Sequence, residues 1–222
     1  PFLFGMFAAG PVPLHALLFV GWLLAYLFSY PFLQWVRTGK SEIYKGPVML
    51  YGGLLIPTGA ALIVLEPALM RMVPLFIPLF LVNCYYARRN RERSLLNDLA
   101  AVVQFSLIVF VAFRAGEGSD WRLAAELFAF SVLYFTGTVF YVKTMIREKH
   151  NAAYYRFSVG YHLALFVAAA FWFPPGVLVP LAILLVRAVW SPRAKLTVKQ
   201  SGMLEIAYSV LVACSVLVFH AI

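Results

Sequence analysis

Charge is scarce in this chain of 222 residues: Lys, Arg, Asp and Glu together make up 12% of it. Ordinary soluble domains carry about a quarter. Acidic residues are scarcest, and Asp98 and Asp120 are the two aspartates. No P-loop, no G-x-S-x-G and no Cys/His spacing suited to zinc is present, and no paired histidines stand at helical spacing for haem. No metal site and no cofactor are therefore expected. The two cysteines, Cys84 and Cys214, fall in separate apolar runs expected toward opposite membrane faces, which argues against a disulfide. No polar linker is long enough to separate two domains, so one integral membrane domain over residues 1–222 is expected. The first residue is Pro1, and the apolar run Pro1 to Ala9 is too short to span. It lacks a basic n-region and an A-x-A-like cleavage site, so it reads as a cut first span, not a signal peptide.

What the chain has in abundance is apolar length. Hydrophobic residues make up 63% and mean hydropathy is +0.86. Runs of about 20 apolar residues match the thickness of a bilayer. The fold class expected is all-α, a polytopic transmembrane bundle of about nine spans with the first one truncated. After a turn at Gly10–Pro13, spans are expected over about Leu14–Val36, Pro47–Leu65, Met72–Ala87 and Leu99–Phe113. Four more follow over about Leu123–Val142, Phe157–Phe173, Val177–Trp190 and Gln200–Ile222. Pro57, Pro74 and Pro78 are tolerable inside membrane helices, and Gly52-Gly53 permits close helix approach.

The formal charge of +9 points to an anionic partner. Its distribution argues for a membrane over nucleic acid. Arg37, Lys40 and Lys45 follow the second span, and Arg88, Arg89, Arg91 and Arg93 the fourth. Lys143, Arg147, Lys149 and Arg156 follow the sixth, and Arg187, Arg193, Lys195 and Lys199 the eighth, which places 15 of the 18 basic residues after even-numbered spans. Arg71, Arg114 and Arg122 alone fall on the other side. The positive-inside rule makes the heavily basic loops cytoplasmic, with the N-terminal side inside and the C-terminus outside. A bacterial cytoplasmic membrane is the expected location.

The stretch around which the polar groups gather is Asn83 to Gln104, NCYYARRNRERSLLNDLAAVVQ. Its pattern N-x-Y-Y-A-x-x-x-x-E-R-x-L-x-N-D-x-x-A, together with FYVKTMIREK (Phe140 to Lys149), resembles the YwiC-like family of bacterial multi-pass membrane proteins. GMLEIAYS (Gly202 to Ser209) and the opening PFLFGMFAAGP support the resemblance, which covers essentially the whole chain. Family members usually carry a short segment with a His-Gly-Ala-Trp-like motif before the Pro-Phe-Leu, in line with a cut first span here. The resemblance names a relative without naming an activity. A weaker, architectural similarity is to the UbiA class of intramembrane prenyltransferases. That class holds magnesium and a prenyl diphosphate on Asp-rich motifs after its second and sixth spans. Here RTGKSEIYK and KTMIREKHNAAYYR contain no Asp, so only topology carries over.

Arg88, Arg89, Arg91 and Arg93 suit phosphate, because guanidinium gives planar bidentate hydrogen bonds to phosphate oxygens. If the two large basic loops converge, Lys143, Arg147 and Lys149 join them. The ordinary reading is anchorage to anionic headgroups. Positive-inside topology does not need Glu92, Asn97 or Asp98, although Asn97 and Asp98 also suit a helix start. Asn83, Gln104 and Tyr141 are expected to form a polar layer just inside the boundary. Deeper, Arg187 and Glu205 lie at similar depth on consecutive spans and are expected to pair, with His162 at comparable depth. Ionisable groups inside spans default to functional hypotheses, against a structural ion pair and a packing histidine. Thr136-Gly137-Thr138 is expected to make a close helix contact.

Three function classes follow. The leading expectation is a cytoplasm-facing pocket between spans four to nine for a phosphate-bearing lipid or isoprenoid, with transferase-like chemistry as its enzymatic form. The second is a small-molecule or proton-coupled transporter using Arg187, Glu205 and His162. The third is a non-catalytic membrane scaffold. Membrane lipids are the expected partners, and nucleic acid is not.

Overall fold

Short polar side chains cap the starts of α-helices at four places. Ser94 Oγ accepts from the Asn97 backbone N–H at 3.3 Å, and Asp120 Oδ1 from Leu123 N–H at 3.0 Å. Asn151 Oδ1 accepts from Tyr154 N–H at 3.0 Å. Thr197 and Gln200 form a reciprocal capping box. Each satisfies donors that the first turn leaves without an intrahelical partner.

The structure is a computed structural model describing residues 1–194 and 196–221; Lys195, counted above among the basic residues, and Ile222 lie outside these. The helices are α1 (Phe2–Ala9), α2 (Leu14–Thr38), α3 (Ser41–Leu65), α4 (Val73–Arg88), α5 (Leu95–Ser106), α6 (Ile108–Ala115), α7 (Trp121–Ile146), α8 (Ala152–Trp172), α9 (Pro175–Trp190) and α10 (Val198–Val216). A 3-10 turn, Pro67–Met72, leads into α4. The protein is a polytopic helical bundle. Among the described residues, seven stretches are long and apolar enough to cross a membrane: Leu14–Thr38, Ser41–Leu65, Pro67–Arg88, Leu95–Ala115, Trp121–Ile146, Pro175–Arg193 and Val198–His220. Helix α8, with 21 residues, is long enough but less apolar. Its polar Ser158 and His162 are turned into protein, 1% and 4% exposed.

Several boundaries differ from expectation. Helix α3 starts at Ser41, so Lys45 lies on a helix and not in a loop. Helix α5 starts at Leu95 under its Ser94 cap, which corrects the expectation that Asn97 and Asp98 begin the helix. The expected fifth span is two helices, α5 and α6, meeting at Leu107.

The helices gather into two compact units, one over Pro1–Phe128 and one from Ala129 onward. In the first, α1 lies so close to α6 that a Cβ on Gly5 would fall 2.1 Å from the Val109 carbonyl oxygen. His15 is part of this packing: Val12 N–H donates to its Nδ1 at 3.0 Å, so its Nε2–H donates to Ala112 O at 2.8 Å. Gly52 lets α3 approach α2 less tightly, with a Cβ there 3.3 Å from the Phe28 ring.

In the second unit tyrosine hydroxyls tie helices together. Tyr155 donates to Val189 O at 2.8 Å and Tyr161 to Leu133 O at 2.9 Å. Tyr134 shares a 2.9 Å bond with Ser209. Gly137 faces Tyr161 and His162, and a Cβ there would sit 3.2 Å and 3.3 Å from them, so the expected close contact at residues 136–138 is present.

Gly5→Val should therefore force α1 off α6 and lower thermal stability in detergent, with an overpacking cost of about 1–3 kcal/mol. Gly46→Ala, which lies inside α3 and meets open space, should not lower the melting temperature.

Candidate functional site

The first unit contains an apolar cavity with a polar end. Helices α2 to α6 border an open apolar volume of about 530 Å³ lined by Leu18, Gly59, Leu62, Phe76, Phe80 and Ile108, among others, on the second to fifth spans, whereas the expected pocket lay between spans four to nine. A smaller cavity of about 250 Å³ shares Trp22, Ala25, Phe80 and Gln104 with it and reaches Asn83, Ser29 and Leu33. Binding cavities for small molecules run to about 300–1,000 Å³.

Where the two meet, Asn83 Nδ2 donates to Gln104 Oε1 at 3.0 Å and to Leu79 O at 2.8 Å. The second bond orients the Asn83 amide. The Asn83 carbonyl oxygen and the Gln104 amide N–H groups remain as acceptor and donor toward the smaller cavity. Tyr141, expected in this layer, belongs instead to the second unit.

Five residues beyond Asn83, about 7.5 Å along the helix axis, α4 ends at Arg88. Arg88, Arg89, Arg91 and Arg93 are exposed, and the Arg89 guanidinium lies 5.3 Å from the Tyr85 ring centre. Glu92 pairs with Arg37 at the end of α2, a partner that sequence reasoning missed. Partial burial raises the Glu92 carboxyl. Its own backbone N–H, the Arg37 hydrogen bond and the charges of Arg37 and Arg93 outweigh that and hold it below the usual carboxylate range. Asn97 Nδ2 donates to Glu92 O at 2.7 Å and so fixes the loop. Asp98 is half-buried in the first turn of α5.

The second unit holds Lys143, half-buried, and Arg147 and Lys149, exposed. Its main polar feature is a buried cluster on α7 to α10. Arg187 Nη1 donates to Glu205 Oε2 at 2.6 Å, and the two side chains are 1% and 14% exposed. The expected pair is formed. Arg187 Nη2 donates to His162 Nε2 at 3.2 Å. Because a guanidinium only donates, His162 Nε2 is an acceptor and its proton sits on Nδ1, which donates to Ser158 O at 2.8 Å. His162 is thus a neutral imidazole. The guanidinium lies 4.1 Å from the Tyr141 ring centre and 5.3 Å from that of Tyr208, close enough for cation–π attraction. Tyr208 and Ser158 escaped the sequence reading. Tyr208 stands three residues from Glu205 and Ser158 four from His162, and that helical spacing was the signal available.

Four buried polar atoms of this cluster make no hydrogen bond among the described residues: Arg187 Nε, Glu205 Oε1, Tyr141 Oη and Ser158 Oγ. Buried polar atoms in native structures nearly always have a partner.

Residues 1–113 match the family described as YwiC-like protein. The chain belongs to the YwiC-like family. It is 41% identical to the uncharacterised protein YwiC of Bacillus subtilis over 175 residues, covering 77% of this chain and 72% of that protein. It is also 32% identical to an uncharacterised protein of Haemophilus influenzae over 215 residues, covering 93% and 87% of the two chains. No solved structure matches. In this YwiC-like chain the family match spans the amide pair and the arginine loop of the first unit.

Two outcomes follow. Folding holds Glu92 below its unfolded value, so its stabilisation is complete above that value and is lost as pH falls through the folded one. Glu92→Gln should flatten the acid side of the stability profile, at a cost of no more than about 1 kcal/mol for this part-exposed pair. Arg187→Leu strands a buried carboxylate and should cost about 3–5 kcal/mol, while Arg187→Leu with Glu205→Leu should recover most of it. Thermal unfolding in detergent checks both.

Proposed function

We propose that the first unit binds a phosphate-bearing lipid or isoprenoid from a bacterial cytoplasmic membrane. The observation that carries this reading is the gradient along α4. Phe76 and Phe80 line an apolar cavity, Asn83 with Gln104 forms its polar end, and Arg88 and Arg89 lie exposed beyond. A lipid phosphate has the same order of parts: an apolar chain, a polar linkage and an anionic head. Arginine suits that head through paired hydrogen bonds and a charge that never leaves it. With no aspartate in the expected magnesium positions, direct guanidinium contacts would hold the phosphate. Transfer of the prenyl or lipid-phosphate group is the enzymatic form of this function.

The orientation that goes with it puts the loops after α2, α4, α7 and α9 in the cytoplasm, the N-terminal side inside and the C-terminus outside. The excess of Lys and Arg in those loops supports it, as does neutralisation on the other side, where Arg114 pairs with Glu66 at 3.1 Å and Arg122 with Glu126 at 3.0 Å.

Thermal melting of the protein in detergent, titrated with prenyl diphosphates and anionic phospholipids with and without magnesium, tests the reading. A specific ligand should stabilise by mass action, about 2.7 kcal/mol at a hundred times its dissociation constant. Arg91→Ala should weaken binding about tenfold or more, the loss of one charge-assisted hydrogen bond. Gly59→Leu, which grows into open cavity space, should abolish the shift and leave the unliganded melt intact. Equal stabilisation by every anionic lipid, unaltered in both variants, would return the arginines to headgroup anchorage and favour a scaffold.

A further inference from the structure

The buried cluster of the second unit is independent of the lipid reading. A guanidinium stays protonated in any protein environment and, once buried, needs an anion beside it. The groups around Arg187 are Tyr141 from α7, His162 from α8, and Glu205 and Tyr208 from α10, and Tyr134 of α7 bonds Ser209, the residue after Tyr208. His162 is neutral because its Nε2 accepts from Arg187. The tyrosine rings of Tyr141 and Tyr208 offer quadrupoles but no net charge. Glu205 is the one carboxylate bonded to the guanidinium among the described residues.

We propose that the Arg187–Glu205 pair is a proton-gated anion site, in which a small carboxylate monoanion replaces the Glu205 carboxylate on the guanidinium while Glu205 takes up one proton. The hydrogen bond from Arg187 Nη1 to Glu205 Oε2 breaks, an O–H bond forms on Glu205 with a proton from water, and Arg187 donates to the incoming carboxylate. Charge in the cluster is the same before and after, so a low-dielectric site can hold either state. Two atoms that are otherwise unpartnered fit this exchange. Arg187 Nε is a buried donor free to meet the incoming anion, and Glu205 Oε1 is a buried acceptor free to take the proton. The Tyr141 hydroxyl, also unpartnered, can donate to either carboxylate. By linkage, proton and anion favour each other's binding. A site that loads the two together has the elementary property of a proton-coupled carrier.

The test uses the full chain in lipid nanodiscs with lactate and benzoate as probes, over pH values at which both acids stay ionised. Carboxylate binding should take up one proton per anion, read with a pH indicator in weak buffer. The apparent dissociation constant should rise about tenfold for each pH unit over which Glu205 is ionised. Lactamide and benzamide, the uncharged analogues, should not bind. Glu205→Gln keeps the shape of the side chain and should bind with no proton uptake and no pH dependence, at an affinity no weaker than the parent's at its most acid pH. Arg187→Gln should not bind. Absence of binding by both carboxylates at every pH overturns the proposal, and so does binding without proton uptake. Should Glu205→Gln fail to fold, proton uptake by the parent chain decides the matter alone.

Discussion

The Arg187–Glu205 pair is the constraint on which the second unit depends. A charge in the apolar part of a membrane is tolerated when it faces protein and has a partner. Three helices contribute to meeting that condition: Tyr141 of α7 offers its ring, His162 of α8 its lone pair, and α10 both the charge of Glu205 and the ring of Tyr208. The arrangement also dictates choices that look unrelated. The tautomer of His162 follows from which nitrogen Arg187 uses. The position of α8 follows from Gly137, since a larger residue there would press on the imidazole. Two of the polar side chains that make α8 weakly apolar, Ser158 and His162, are turned inward to this cluster.

The first unit solves a different problem. Among the described residues it has no buried ion pair at its centre, and its polar groups are graded along α4. Leu62 and Phe76 meet the apolar volume, the Asn83–Gln104 amides close it, and guanidinium groups stand in water beyond. An amide pair suits that intermediate level. It hydrogen-bonds as a buried polar group must, carries no charge to desolvate, and leaves one donor and one acceptor unused. The two units thus differ in kind: one is built around a neutral amide pair, the other around a buried ion pair.

Much of the fold was legible in the sequence because lipid demands apolar length, and length can be counted. Helix ends were less so. Hydropathy marks the part of a helix that touches lipid, whereas the hydrogen-bonded ladder continues until a cap stops it. That is why Ser41 to Gly46 and Leu95 to Asp98 proved helical although their charges and amides suggested loop. The pairing of Arg187 with Glu205 could be anticipated, since two opposite charges on consecutive spans joined by a short loop have few other partners. The cavity could not, since Leu18, Leu62 and Phe76 carry no mark that distinguishes lining a space from filling one. The Arg37–Glu92 bridge was hidden for another reason: it joins residues 55 positions apart, and both looked like ordinary loop charges.

The buried cluster also bears on how the chain enters a membrane. Insertion tests each hydrophobic segment as it emerges, and an arginine within a segment raises the cost, less so in its last turn than at its centre. Helix α9 carries Arg187, α10 carries Glu205, and α8 is the least apolar of the long helices. Helices α9 and α10 are each apolar enough to span, and together their buried charges compensate one another. Helix α9 gains its neutralising partner only when α10 has been synthesised. The pair thus couples the last two helices during assembly, because either charge left alone in lipid costs more than the two closed on one another.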